Sequence, residues 1–512
     1  MTTTPSTHPR RWWALGAIVA CMLTLGFDGT ILNVALPTMA AQLGADNSTL
    51  QLIGDSYLVV LAALMLPAGF LGDRFGRRRM LVLGLAVFLA GSLLGTLADN
   101  SSAVVAARSV MGVGAGLIFP LTMSVVPTLF APEERAKAMG LVSAASALGL
   151  PLGPILGGLL LDHFWWGSIF LINIPLIGIA IVACLTLLPE TSDPSSPKVD
   201  ILTTVLTVTG LGTLVYGVNE GPGRGWSSPL VLGMLAAGVV LITALVLRER
   251  RQDRPMLDLS LLRRRGFLWN TVAAALVMFT LTGLMFVLPA YLQTVLGNDA
   301  LGTGVRMMPM PLGMLVASRA TSHLLSRMGP RPVICAGLAI MAAAALTGAT
   351  TGVHDGYGFT AVWLALVGLG FGMAIVPAMT NALGALPRDR AGSGSGLLMT
   401  LRQVAGAIGL AILGSVIAGS YTSHLDTGHL PGPAASAAQD SVIGAHAVAA
   451  KLGDRALAHS ADSAYLHGMD LALAISGVTA LLALGLVAAF LPNPRPERPA
   501  ATHEVVTDSA HA

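Results

Sequence analysis

The chain has 512 residues, of which 54% are hydrophobic and only 11% are charged, and its formal net charge is +3. Soluble domains carry about 25% charged residues, so this composition excludes a soluble globular protein. Together with the mean hydropathy of +0.74, it indicates an all-α protein embedded in a lipid bilayer. The small net charge and the lack of aromatic residues among the basic ones exclude a nucleic-acid-binding protein.

Fourteen apolar segments follow one another along the chain, each near the roughly 20 residues that a helix needs to cross a bilayer. The predicted spans are residues 13–38, 50–71, 80–98, 103–128, 138–161, 168–188, 201–219, 229–247, 267–295, 302–325, 332–350, 358–384, 394–420 and 467–490. The first span is too long for a signal peptide and no small-residue cleavage site follows it, so we expect it to be retained.

Basic residues are unevenly distributed between the loops on the two sides of these spans. The side of the N-terminus holds 22 of the 29 Lys and Arg residues, and the other side holds three. The positive-inside rule therefore predicts a multi-pass protein of the cytoplasmic (inner) membrane with both termini in the cytoplasm. The basic segment 248–265 is then a cytoplasmic loop. The polar segment 421–466 is extracytoplasmic, and we find no clear periodicity in it.

Two motifs occur twice at nearly one spacing. The loop 69–79, between the second and third spans, contains an Arg-x-Gly-x-Arg motif at residues 74–78 that recurs at 327–331. The motif Pro-x-x-Arg-Ala at 132–136 recurs at 387–391. These offsets of 253 and 255 residues cover eight spans, an even number, so we predict two parallel halves. Parallel halves are a transporter architecture with the substrate site between them.

The repeat divides the chain into five predicted segments. They are a cytoplasmic tail at 1–11, a six-helix bundle at 12–189, a linker with two inserted helices and a basic loop at 190–265, a second six-helix bundle at 266–491, and a cytoplasmic tail at 492–512. We expect the tails to be disordered.

Five ionisable residues lie deep within the predicted spans: Asp28, Asp55, Arg108, Arg319 and Arg402. Each costs about 2.5–3.5 kcal/mol at the centre of a lone helix, which makes each a functional candidate. Their distances from the loops place the first three at similar depth in the outer half of the membrane, where two carboxylates and one guanidinium can share a site.

Such a site suits proton coupling. Burial favours the protonated form of a carboxylate, and a nearby arginine favours the ionised form, so a balance between the two allows a proton to load and leave. We predict that Asp28 is the main proton or cation site, that Asp55 is the second, and that Arg108 tunes both. The alternative is a static ion pair that only holds helices together.

Four stretches resemble motifs of one known family. The loop 69–79 resembles the signature between the second and third helices of the major facilitator superfamily. Residues 27–37, 149–158 and 165–175 resemble the first-helix motif, the fifth-helix motif and the following stretch of its fourteen-helix drug:proton antiporters. The resemblance covers nearly the whole chain. One position departs from the pattern. The fourth-helix motif of the family reads Arg, two residues, Gln, Gly, and here Met111 stands in place of the Gln, three residues after Arg108.

The resemblance also implies roles for two groups of residues. It implies a conformational switch in the loop, carried over to Gly69, Asp73, Arg74, Gly76 and Arg77. It implies that the fifth-helix motif seals the substrate path, carried over to Gly149, Pro151, Gly153, Pro154, Gly157 and Gly158. The spacing of these glycines itself predicts close approach to a neighbouring helix, and the two prolines predict an interrupted, bent helix. Topology anchoring and ordinary packing are the respective alternatives.

The resemblance implies proton-driven export of small lipophilic drugs or antibiotics by alternating access. Because only two acids lie deep in the spans, we expect the substrates to be monovalent cations or neutral lipophilic compounds rather than dications. Export of one self-made antibiotic or metabolite is the alternative. A membrane-embedded enzyme is disfavoured because the spans contain no nucleophile–base pair, and the fifth-helix motif disfavours an importer or uniporter. We expect no cofactor besides the proton gradient, no bound metal, and a functional monomer whose partners are the substrate, protons and lipid.

The substrate site should be an apolar cavity with few polar groups. Candidate lining residues at suitable depth are Phe27, Tyr57, Phe119, Phe286, Tyr291 and Arg402. The three cysteines lie far apart along the chain and within spans, so we expect them to be inert, with no disulfide.

Overall fold

The computed structural model describes residues 10–43, 47–192, 200–252, 259–352, 355–386, 391–427 and 430–493. This part of the chain is helical and contains no strand. Its α-helices are α1 (Arg11–Leu43), α2 (Asn47–Phe75), α3 (Arg77–Thr96), α4 (Ser101–Leu129), α5 (Pro132–His163), α6 (Ser168–Leu171), α7 (Asn173–Leu187), α8 (Ile201–Arg224), α9 (Pro229–Glu249), α10 (Arg265–Ala290), α11 (Ala300–Arg306), α12 (Pro309–Met328), α13 (Pro330–Gly348), α14 (Tyr357–Gly384), α15 (Ala391–His424), α16 (Gly432–Asp440), α17 (Val442–Leu452) and α18 (Arg455–Phe490). A 3₁₀ turn precedes α10 and a π-helical turn, Tyr291–Val295, follows it.

Each predicted span coincides with one helix or with two consecutive segments. Within the described residues, twelve helical segments are long and apolar enough to cross a membrane. The other two spans correspond to α5 and α12, which are 32 and 20 residues long. The described apolar stretch of α5 is short, Leu152–Leu161, and α12 carries Arg319, His323 and Arg327. The chain is therefore an all-α, multi-pass membrane protein, as predicted.

The polar segment 421–466 is mostly helical, although its sequence shows no clear periodicity. It contains the end of α15, all of α16 and α17, and the start of α18. Local capping explains two of these starts, since Ser441 accepts a hydrogen bond from the Gly444 N–H and Asp454 accepts one from the Leu457 N–H. A side-chain oxygen at this position satisfies an otherwise unpaired helix donor. Alanine-rich sequence between such caps favours helix without an apolar stripe.

Arginine contacts tie together several helix ends at one end of the bundle, which we call the basic end. Arg11 at the start of α1 pairs with Glu134 in the first turn of α5 at 3.0 Å. Arg78 at the start of α3 pairs with Glu190, beyond the end of α7, at 3.6 Å. The starts of α1, α3 and α5 and the end of α7 therefore lie at this end of the bundle. This is expected when successive membrane spans run antiparallel and are joined by short loops.

The two copies of the Arg-x-Gly-x-Arg motif form equivalent turns at the basic end. Gly76 joins α2 to α3 with a φ of 103°, and Gly329 joins α12 to α13 with a φ of 79°. Only glycine adopts such angles without strain, so the motif uses glycine for the same reason in both places. This agreement supports the internal repeat. The second copy of the Pro-x-x-Arg-Ala motif lies largely outside the described residues.

The hairpin formed by α8 and α9 packs across two parts of the molecule. Helix α8 contacts α2, from the first part of the chain, and α15, from the last. Just beyond α8, the Trp226 indole N–H donates a hydrogen bond to the Ser415 hydroxyl on α15 at 2.9 Å. We call α1–α7 the first group of helices and α10–α18 the second group. The hairpin of α8 and α9 thus lies at the boundary between the two groups.

The two groups also meet directly towards the basic end. The Ser395 hydroxyl on α15 donates to the Pro120 carbonyl on α4 at 3.2 Å. A Cβ atom on Gly396 would lie 2.9 Å from the Leu66 carbonyl oxygen of α2. Helix α15 therefore packs backbone to backbone against the first group at this level.

Two cysteines that are distant in the sequence are neighbours in the fold. Cys21 on α1 and Cys184 on α7 are both buried, and their side chains form a hydrogen bond. They are distant in sequence, but α1 and α7 are neighbours in the fold. The structure records all three cysteines as free thiols.

Candidate functional site

A buried ion pair joins α1 to α4. Asp28 lies 17 residues into α1, about 25 Å from the basic end, and the Arg108 Nη1 donates to its Oδ2 at 3.0 Å. The two side chains are 1% and 3% exposed. The Asn173 side-chain amide, at the start of α7, donates to the other carboxylate oxygen at 2.9 Å. One carboxylate therefore connects three helices.

The Arg108 guanidinium also lies over an aromatic ring. Its carbon is 4.2 Å from the centre of the Tyr57 ring on α2, a favourable cation–π distance. The Arg108 Nε is buried without a hydrogen-bond partner among the described residues. Met111, which replaces the family's usual Gln, packs towards α3, where a Cβ atom on Gly91 would lie 2.6 Å from its Cγ.

Asp55 is placed differently from the expected three-residue site. Its Oδ1 accepts a hydrogen bond from the Asn219 side-chain amide of α8 at 3.4 Å. Two residues further along α2, Tyr57 is the side chain that faces Arg108, and two residues correspond to about 200° around a helix. The structure brings Asp28 and Arg108 together, and it turns Asp55 towards the inserted hairpin, where Glu220 and Arg224 form a further ion pair.

The predicted switch loop is held together at the basic end by an internal ion pair. Arg77 Nη2 donates to Asp73 Oδ1 at 2.7 Å, with both side chains less than 10% exposed. The Arg77 backbone N–H also donates to the Thr191 carbonyl at 2.9 Å. The loop is therefore attached to the segment that follows α7. A Cβ atom added to Gly396 of α15 would lie 3.3 Å from the Gly69 Cα, so the start of the loop packs closely against α15.

The glycine row of α5 packs against α1. Cβ atoms added at Gly149 and Gly153 would lie 2.6–2.8 Å from backbone atoms of α1, and one at Gly157 would lie 3.1 Å from the Ile31 side chain. The interruption predicted from the two prolines is wrong, because α5 continues from Pro132 to His163. Neighbouring helices and local adjustments compensate for the missing backbone donor of proline in membrane helices.

The predicted cavity residues fall into three groups. Phe27, Tyr57 and Tyr291 are fully buried, and the Tyr291 hydroxyl lies 3.4 Å from the Thr360 hydroxyl. Phe119 and Arg402 are half-buried. The Phe286 side chain lies outside the described part of the structure.

Sequence reasoning missed two amides, Asn173 and Asn219, which donate hydrogen bonds to Asp28 and Asp55 respectively. Amides carry no charge, so they are not among the ionisable residues of the spans. A search for any hydrogen-bonding amide within an apolar span would have found both, since unpaired polar groups are costly in a bilayer. Among the described residues, no group of three or more His, Cys, Asp or Glu side chains is placed to hold a metal ion.

Comparison with known proteins shows the family. The sequence profile of the Major Facilitator Superfamily matches residues 18–410. The chain belongs to the major facilitator superfamily. Members of this superfamily are transporters rather than enzymes, so the expectation that the chain is not an enzyme is confirmed.

Relatives and solved structures agree with this assignment. The tetracenomycin C resistance and export protein of Streptomyces glaucescens is 31% identical over 500 residues, which cover 95% of this chain and 93% of that protein. The multidrug efflux pump LfrA of Mycolicibacterium smegmatis is 30% identical over 492 residues, which cover 95% and 97%. The human organic anion transporter MFSD10 superposes with a TM-score of 0.63 at 18% identity, over 94% of this chain and all of that one. This last similarity concerns the fold alone.

Proposed function

We propose that this protein exports small lipophilic drugs or antibiotics across the cytoplasmic membrane, driven by proton entry and by alternating access. The curated relatives are named as an antibiotic exporter and a multidrug pump. The bundles 12–189 and 266–491 would rock about a central site, with the hairpin of 190–265 between them and with both tails and the basic end in the cytoplasm. The protein would act as a monomer.

The observation that supports proton coupling is the Asp28 network. Ionised Asp28 neutralises the buried Arg108 and accepts a hydrogen bond from Asn173. A proton on Asp28 removes this ion pair, and the guanidinium, which cannot lose its own charge, then needs another partner. Protonation therefore changes which arrangement of α1, α4 and α7 is most stable. That difference allows a proton to bias alternating access.

Asp55 would act as a second proton site at the boundary with the inserted hairpin. The Asn219 amide donates a hydrogen bond to its carboxylate. Protonation of Asp55 would weaken the contact between α2 and α8. Loading of this site would then change how the hairpin packs between the two groups of helices.

Everted membrane vesicles provide the test, with a pH-sensitive dye in the lumen. Compounds of three charge types, ethidium, chloramphenicol and fluorescein methyl ester, are added to wild type, Asp28→Asn and Asp55→Asn. We expect at least one compound to enter the lumen with proton release in wild type, no such exchange in Asp28→Asn, and reduced exchange in Asp55→Asn. Uptake that persists after a protonophore collapses the gradient would exclude proton antiport.

A dedicated exporter of one self-made compound is the second candidate. The similarity over nearly the full length to a protein named for tetracenomycin C favours it. A dedicated exporter would respond to none of the three test compounds but would release protons when extracts of the host's own secreted compounds are added. A multidrug exporter would respond to unrelated scaffolds.

A further inference from the structure

Helix α15 changes its surroundings abruptly near its middle. Every residue from Gly394 to Thr400 is buried, and every residue from Leu401 to Ala405 is half-buried, on all faces of the helix. The buried stretch is the part that packs against α2 and α4 through Ser395 and Gly396. Just beyond it, α15 therefore leaves the closest contact with α2 and α4, and its side chains become partly accessible. Arg402 lies at this transition.

Arg402 has an incomplete set of partners. Its one described hydrogen bond goes to the Met379 Sδ of α14 at 3.2 Å. No carboxylate of the described residues pairs with it. A thioether is a weak acceptor, and a guanidinium carries five N–H donors. A cation within a span ordinarily pairs with an acid or with backbone carbonyls, so this donor set is available to a ligand.

Acids within the described spans do not offset this charge. Asp470 on α18 is half-buried, but it lies about 30 Å along its helix from the basic end, whereas this arginine lies about 16 Å from that end. Asp28 is already neutralised by Arg108 within a sealed pair. Asp55 faces Asn219 on the inserted hairpin. At this level of the bundle the partly accessible charge is therefore positive, which revises the expectation of cationic or neutral substrates drawn from the sequence.

We propose that Arg402 binds an acidic group of the exported compound, so that the substrates are lipophilic organic anions such as carboxylates and phenolates. This assignment rests on the proposed export function and specifies its substrate class. A guanidinium binds a carboxylate through two parallel hydrogen bonds, a geometry that lysine cannot reproduce.

The charge of the substrate also affects how export is driven. An anion that leaves the cell and a proton that enters both move positive charge inwards. An inside-negative membrane potential, worth about 2.3 kcal/mol per charge per 100 mV, therefore assists both movements.

Two dyes of one scaffold and opposite charge provide the test. Fluorescein methyl ester is an anion near neutral pH, and rhodamine 123, its diamino analogue, is a cation. Binding is measured as thermal stabilisation of the purified full-length protein, because a ligand that binds only the folded state raises its stability. The variants are Arg402→Met, Arg402→Lys, Asp28→Asn and, as a matched control, Arg319→Met, whose arginine is exposed on α12.

We expect the anionic dye to stabilise wild type and Arg319→Met, to bind Arg402→Met at least about tenfold more weakly, and to bind Arg402→Lys with intermediate affinity. Asp28→Asn should still bind the anion but lose proton-coupled transport, so failure of proton coupling alone would leave the Arg402 assignment intact. Equal binding of the anion by wild type and Arg402→Met would overturn it, as would no binding of the anion by wild type. Unliganded melting of each variant checks that it is folded.

Discussion

The Asp28–Arg108 pair predicts an asymmetric response to removal of either partner. In Asp28→Leu, the Arg108 guanidinium stays charged in a site where it is 3% exposed, and Asn173 loses its acceptor. Breaking a buried ion pair in this way costs about 3–5 kcal/mol. In Arg108→Leu, the remaining carboxylate can take up a proton and keep its hydrogen bond to Asn173, so we expect a smaller loss of about 1–3 kcal/mol.

The double variant separates structural from coupling roles. Replacing a buried ion pair by apolar residues of similar volume is often neutral or stabilising. We therefore expect Asp28→Leu/Arg108→Leu to be more stable than Asp28→Leu alone, with an interaction free energy of at least about 3 kcal/mol in the double-mutant cycle. The same variant should show no proton exchange, because no titratable group remains at the pair.

The measurement is unfolding of the purified protein in mixed micelles with increasing sodium dodecyl sulfate, followed by loss of helical circular dichroism. Arg319→Leu, an arginine on the exposed side of α12, is the control and should change the free energy of unfolding by less than about 0.5 kcal/mol. Additive effects of the two single substitutions would show that Asp28 and Arg108 do not interact energetically, which would refute the reasoning. Proton exchange retained by the double variant would remove Asp28 from the coupling mechanism.

Two further predictions concern packing and pH. Gly149→Ala places a Cβ atom 2.6 Å from the backbone of α1 and should lower the free energy of unfolding by about 1–3 kcal/mol. Gly158→Ala is the control and should be neutral, because a Cβ atom there has nothing within 4 Å. Equal effects of the two substitutions in the same unfolding titration would contradict the packing of α5 against α1. Arg248, with smaller contributions from hydrogen bonds of neighbouring side chains, holds the pKa of Asp200 below its usual value. Asp200→Asn should therefore cost up to about 1 kcal/mol at neutral pH. This contribution begins to be lost below about pH 4, the ordinary value for Asp, and disappears only below the lowered pKa of the folded state, so wild type and variant should converge progressively on acidification. A difference that grows on acidification would refute the assignment.

Helix positions and the repeat could be predicted from sequence because simple physical constraints determine them. A bilayer requires about 20 apolar residues per helix, so hydropathy alone placed each span on an observed helix. The largest difference is at α18, which begins at Arg455, in the polar segment before the predicted span 467–490. The positive φ angles of Gly76 and Gly329 explain why glycine recurs in the two copies of one motif. The helix positions and the glycine turns depend on the local sequence and on the thickness of the bilayer. They do not depend on which helices become neighbours.

The partners of buried side chains could not be predicted in the same way. Depth along a helix placed Asp28, Asp55 and Arg108 at one level, but the rotation of α2 turns Tyr57 to Arg108 and Asp55 to Asn219. The contact between Cys21 and Cys184 likewise depends on the packing of α1 against α7. Rotation about the helix axis is set by tertiary contacts, which hydropathy does not encode.

Arg108 and Arg402 show why this distinction matters for function. Both are arginines within spans, and from sequence each had the same energetic reason to be a candidate. Arg108 is sealed against Asp28 and Tyr57, so its charge is neutralised inside the protein, and in the proposed mechanism it acts on transport through the protonation of Asp28. Arg402 is half-buried with a thioether as its described partner, so its charge is available to a substrate. The sign of the charge that a substrate meets is therefore decided by which buried charges are already paired, and a count of acids in the spans predicts the opposite sign.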